Sequence, residues 1–64
     1  MKEDIFMKIQ SEMKNDSPEL LDDFKAKWNE SHKQAFLWLQ KKSEAGELTQ
    51  SINKHLDDLF FALH

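Results

Sequence analysis

The chain has 64 residues, no cysteine, one glycine, one proline and a formal net charge of −3. That length allows a single domain at most, near the size where one core barely offsets the ordering entropy of the chain, and the missing cysteine excludes disulfides, a thiolate zinc site and a cysteine nucleophile. All nine basic residues are lysine, and the lack of arginine, the usual reader of guanine edges and phosphates, argues with the acidic balance against direct nucleic-acid binding.

The palette is rich in Leu, Lys, Glu, Ala, Gln and Met and has no Val or Tyr, which favours helix over sheet throughout. Met1-Lys2-Glu3-Asp4 carries acids and no apolar run, so it reads as neither a secretion signal nor a transit peptide. No stretch approaches the roughly 18 apolar residues of a membrane span. The expectation is a cytoplasmic, all-α protein formed by residues 1–64 as one helical domain.

In chain order, Ile5, Phe6, Ile9 and Met13 share one helical face, which predicts a short amphipathic helix over about residues 3–14, with Met7 on its back. Asn15-Asp16-Ser17-Pro18 gives a stop and a restart, with Ser17 as N-cap and Pro18 at the first helical position. Beyond it, Leu20, Leu21, Phe24, Trp28, Ala35, Trp38 and Leu39 keep one phase across the polar stretch 29–34. That phase predicts one long central helix over about 18–44, roughly 40 Å in length. The competing reading is a break at Ser31-His32-Lys33-Gln34, which matches a capping box. Lys41, Lys42 and Gly46 are expected at a helix carboxyl end. A last helix over about 47–63 places Leu48, Ile52, Leu56, Leu59, Phe60 and Leu63 on one face, with Phe61 opposite.

The run Ala35-Phe36-Leu37-Trp38-Leu39 is the anomaly, because a surface helix needs only three or four apolar positions in seven. Two short helices flanking a long one would leave its stripe covered on one side only, with Met7, Phe36, Leu37 and Phe61 still in water. Leaving four such side chains exposed forgoes ~1.5–3 kcal/mol each, comparable with the whole stability of a small domain, ~5–15 kcal/mol. The three-helix chain is therefore expected to form a dimeric helical bundle, a homodimer being the commonest assembly; a compact monomer of four short helices is the alternative.

Chemistry finds little support. His55 with Asp58 one turn on, and His32 from a neighbouring helix, are the only conventional metal candidates, and they lack the paired helical motifs of bundle metal sites. Asp57 and Asp58 point about 100° apart and cannot act as facing carboxylates, the serines have no triad context, and the single Gly46 cannot build a phosphate-cradling loop. No catalytic residue, metal or cofactor is expected. A membrane-surface helix would need lysines where the last helix has Asp57 and Asp58. The functional expectation is a non-catalytic regulator or adaptor binding a larger protein through Phe36, Leu37, Trp38, Phe60 and Phe61, since aromatics anchor such contacts. The alternatives are a purely self-associating structural protein, or a blocker whose acidic run Asp16, Glu19, Asp22 and Asp23 occupies the basic site of a nucleic-acid-binding partner.

Overall fold

The computed structural model describes residues 1–64 and contains helices only. They are α1 (Lys2–Asp16), α2 (Pro18–Glu30), α3 (His32–Glu44) and α4 (Gln50–Leu63). None is long and apolar enough to cross a membrane.

Single residues separate the first three helices. Ser17 precedes the only proline, whose ring disfavours a helical conformation at the residue before it, and its backbone adopts φ −147° and ψ 61°. Its side chain makes no capping hydrogen bond; the Ser17 carbonyl accepts from the Leu20 N–H at 3.0 Å instead. The expected side-chain cap is thus replaced by a backbone one, on a residue only 5% exposed.

The long central helix is not formed. Ser31 is extended, at φ −163° and ψ 122°, and ends α2 while starting α3. Its Oγ accepts from the Gln34 N–H at 3.3 Å, one half of the capping box. The other half is not needed, because the Ser31 N–H already donates to the Lys27 carbonyl at 2.9 Å. The common phase of residues 20–39 persists through the break because both helices turn the same stripe inward: Leu20, Phe24, Trp28, Ala35 and Leu39 are all buried. Continuous phase is a property of burial, and it does not require a continuous backbone.

The end of α3 follows the sequence. Gly46 takes φ +74°, its N–H donates to the Ser43 carbonyl and the Glu47 N–H to the Lys42 carbonyl, each at 3.0 Å. This is a Schellman ending, which needs a left-handed residue where glycine sits. Lys42 also pairs with Glu47 at 3.5 Å.

Each helix packs on its chain neighbours, and α1 closes the ring against α4; the backbones of the diagonal pairs, α1 with α3 and α2 with α4, do not approach closely. Contacts between residues equidistant from each connection make successive helices antiparallel. Phe6 stacks on Trp28 about Ser17 with centroids 4.6 Å apart, and Phe24 on Trp38 about Ser31 at 6.3 Å. Phe36 meets Phe60 about Leu48 at 5.8 Å, and Ser43 Oγ donates to Asn53 Oδ1 at 2.8 Å in the same register. The α1–α4 seam is closed by Thr49 Oγ1 donating to Asp16 Oδ2 at 3.0 Å. The ring encloses one apolar cluster in which Ile9, Met13, Phe24, Ala35, Leu39, Ile52 and Leu59 have no exposed surface. A radius of gyration of 10.2 Å matches the ~11 Å expected of a compact chain of this length.

The ring answers most of the apolar surplus. A helix with neighbours on both flanks buries three directions, so Ala35 and Leu39 face the core, Trp38 leans on α2 through Phe24, and Phe36 leans on α4 through Phe60. Of the five consecutive apolar residues only Leu37 is left outside. Trp28, expected to lie uncovered at the middle of a long helix, is 6% exposed between Phe6, Phe24 and the ring of His32. With the long helix absent, no uncovered central stripe is left to require a second copy.

Candidate protein-interaction surface

Of the large apolar side chains that remain exposed, Met1 and Met7 lie at α1, Met7 on its back as expected, and the other three lie on α3 and α4. Leu37 is 39%, Phe60 43% and Phe61 75% exposed, and the groove between α3 and the last turns of α4 is lined by the first two. Phe60 sits there because it points about 80° away from the direction of Ile52 at ~100° per residue, far enough to leave the core face and reach Phe36. Phe61 is one residue further round and meets Phe60 edge-on, with centroids 5.8 Å apart. His64 closes the end, its ring 4.3 Å from that of Phe60.

The groove has a volume of about 270 Å³ and is walled by Phe36, Leu37, Phe60 and Leu63. Lys33, Gln40 and His64 complete the wall; none of these side chains is acidic, in a chain that is acidic as a whole. A space of this size falls just short of the 300–1,000 Å³ typical of small-molecule sites, and it suits a few apolar side chains of a partner. A larger groove of about 510 Å³ runs between α2 and α3, where Trp38 and Leu37 are the only apolar walls and Lys27, Lys41, Glu30 and Glu44 alternate in charge. Its mixed polar lining is that of a solvated seam between helices, so the smaller groove is the better candidate.

Of the five residues singled out from sequence, Phe36, Leu37 and Phe60 line this one groove and Phe61 adjoins it. Trp38 does not join them: half-buried, it stacks on Phe24 on the opposite flank of α3, and Lys42 Nζ lies 5.7 Å over its ring. Sequence reasoning missed Lys33, Gln40, Leu63 and His64. The signal was present, since 33, 36, 37 and 40 on α3, and 60, 63 and 64 on α4, follow helical spacing. Finding it required the register of α4 on α3, which depends on the turn at Gly46.

The other candidates are dispersed. His32 is stacked on Trp28 with centroids 4.0 Å apart, whereas His55 faces Glu12 of α1 at 4.0 Å, and no group of three or more His, Cys, Asp or Glu side chains is placed to hold a metal ion. In the acidic run, Asp16 is engaged with Thr49 while Glu19, Asp22 and Asp23 are solvent-exposed. No buried side-chain polar atom lacks a hydrogen-bond partner. The titrating group with a clear perturbation is Asp4, held below the usual carboxylate range by the hydrogen bond and charge of the terminal ammonium 2.8 Å away, far along the chain from the groove.

Comparison with protein-family models, with curated proteins and with solved structures finds no match for the chain. The functional reading therefore rests on the surface itself.

Proposed function

We propose that this chain is a small, non-catalytic protein-interaction module of the cytoplasm, a regulator or adaptor that docks on a larger protein through the α3–α4 groove and Phe61. The observation that carries the reading is the clustering of Leu37, Phe60 and Phe61 on α3 and α4, apart from the other two large exposed apolar side chains, Met1 and Met7. Isolated exposed apolar residues are ordinary, but contiguous ones mark contact surfaces, and aromatic side chains contribute most to such contacts. Trp38 holds α3 against α2 and serves the surface only indirectly.

The test is photo-crosslinking in the source cells with a benzophenone amino acid at position 61, repeated with Leu37→Asp in the same chain. A single cross-linked protein that disappears with Leu37→Asp supports the reading. Cross-links to many proteins, or to none, in a chain that remains folded by circular dichroism would refute it. A second copy is the competing occupant of the same patch, and a cross-linked product of twice the chain mass identifies it.

A further inference from the structure

We infer that the α3–α4 groove takes Phe61 of a second copy of this chain, in a two-fold contact in which each copy fills the groove of the other. This rests on the reading of the patch as a contact surface and adds a regulation of it, since a larger partner then competes with self-association for the same residues. The patch holds a knob beside a hole. Phe61, 75% exposed, projects from α4 next to Phe60, and Phe60 is itself a wall of the groove, whose volume of about 270 Å³ has room for a phenyl ring. A projection and a recess on one surface are what a two-fold contact requires, because each copy then both gives and receives the ring.

Charge fixes the direction of the pairing. Asp57 and Asp58 are exposed and lie one helical turn before Phe61, so they flank the knob. With histidine neutral, Lys33 is the one charged side chain in the lining of the hole. The register that pairs Phe36 with Phe60 and Ser43 with Asn53 brings Lys33 level with Leu63. When α4 runs antiparallel to its copy with Phe61 opposite Phe60, Asp58 comes level with Leu63 of the other copy and so approaches its Lys33, twice in each dimer. A parallel two-fold pairing instead sets Asp57 against Asp57 and Asp58 against Asp58, and leaves both grooves empty. The ring that fits the hole and the acids that meet its lysine are therefore residues of this chain. The contact is small, short of the ~800 Å² per partner of a standard interface, and a Kd of roughly 0.1–1 mM follows. At micromolar concentration the chain is a monomer with its surface free.

The experiment follows the ¹⁵N amide shifts and the sedimentation of the full chain between about 0.02 and 2 mM, a range that brackets that Kd. The signals of Phe36, Leu37, Phe60, Phe61 and Leu63 are expected to move with concentration as the mass rises toward that of a dimer. Phe61→Ala is expected to abolish both changes. Lys33→Asp is expected to weaken association about two- to thirtyfold, the range for two exposed ion pairs of up to ~1 kcal/mol each. Adding Asp57→Lys and Asp58→Lys to Lys33→Asp is expected to restore it, with the circular dichroism spectrum unchanged throughout. A chain that stays monomeric across the range, shifts confined to other residues, or a triple variant no tighter than Lys33→Asp would overturn the inference. A cellular partner cross-linked at position 61 of a chain that never dimerises would leave the interaction module standing and remove this inference alone. Dimerisation through the groove with no cellular partner would support this inference and remove the larger protein instead.

Discussion

Phe61→Ala separates a side chain that serves the fold from one that serves a surface. Phe61 is 75% exposed, so only about a quarter of the ~1.5–3 kcal/mol available from burying a phenylalanine is realised, roughly 0.4–0.8 kcal/mol. Alanine is the better helix former by up to ~0.7 kcal/mol, and the two effects nearly cancel. The expected change in unfolding free energy is within about 0.5 kcal/mol, a shift of the urea midpoint of under ~0.5 M at a slope near 1 kcal/mol/M. Phe24→Ala is the control. Phe24 has no exposed surface and its ring lies 5.2 Å from Phe6, 6.2 Å from Trp28 and 6.3 Å from Trp38. Its truncation costs ~3–5 kcal/mol, against a total of ~3–10 kcal/mol at 0.05–0.15 kcal/mol per residue. A large share of the stability is then lost. Urea melts at two protein concentrations a hundredfold apart read both variants. A loss above ~1.5 kcal/mol for Phe61→Ala, growing with protein concentration, would show that the ring is buried between copies and would refute the assignment of a free surface.

Three further substitutions probe the connections. Ser31→Ala removes the acceptor for the Gln34 N–H and is expected to cost ~1 kcal/mol, lowering the thermal midpoint by ~4–8 °C; an unchanged midpoint would mean that the chain direction is set at Ser31 by the backbone alone. In Gly46→Ala the added methyl group would meet no atom within 4 Å, yet the residue sits at φ +74°, so the cost of ~1–2 kcal/mol is conformational. Replacement of Gly46 by D-alanine in a synthetic chain is expected to be neutral or stabilising, and equal destabilisation by both enantiomers would contradict the left-handed assignment. A double-mutant cycle on Glu12→Gln and His55→Gln is expected to give a coupling below ~1 kcal/mol, because the pair is 4.0 Å apart and partly solvated on both sides; a larger value would make it a principal clasp of the α1–α4 seam.

The inward stripe of every helix was legible in the sequence, because apolar spacing reports burial directly: Ile9, Met13, Phe24, Leu39, Ile52 and Leu59 are all fully buried. So were the break at Pro18 and the ending at Gly46, where one residue type has a conformational preference too strong to be overridden. The break at Ser31 was harder to read. Serine there costs a continuous helix little, and the apolar phase passes through it, whereas the stacking of Trp38 on Phe24 needs the chain to reverse between them. The local signal, the capping box at Ser31–Gln34, is a pattern of common residue types that the apolar phase outweighs, although the structure forms one half of it.

The same packing explains why the candidate surface was half legible. Five consecutive apolar residues exceed the needs of a helix covered on one face, and from the sequence that excess reads as Phe36, Leu37 and Trp38 in search of a partner. Once α3 has α2 on one flank and α4 on the other, Trp38 and Phe36 become the walls that hold those neighbours, and the excess contracts to Leu37. On α4 the direction is reversed. Phe60 reads from its spacing as an inner-face residue, yet its offset from Ile52 carries it to the rim, where it stands beside Phe61 and His64. The surface thus combines the one apolar position α3 cannot bury with the adjacent pair that α4 cannot turn inward without giving up Leu59. Moving Phe60 or Phe61 to the core would require rotating α4 by about a quarter turn or more, at the expense of Ile52 and Leu59, which have no exposed surface at all. The fold accordingly has no low-energy way to hide this patch within a single copy, and Leu37, Phe60 and Phe61 stay exposed.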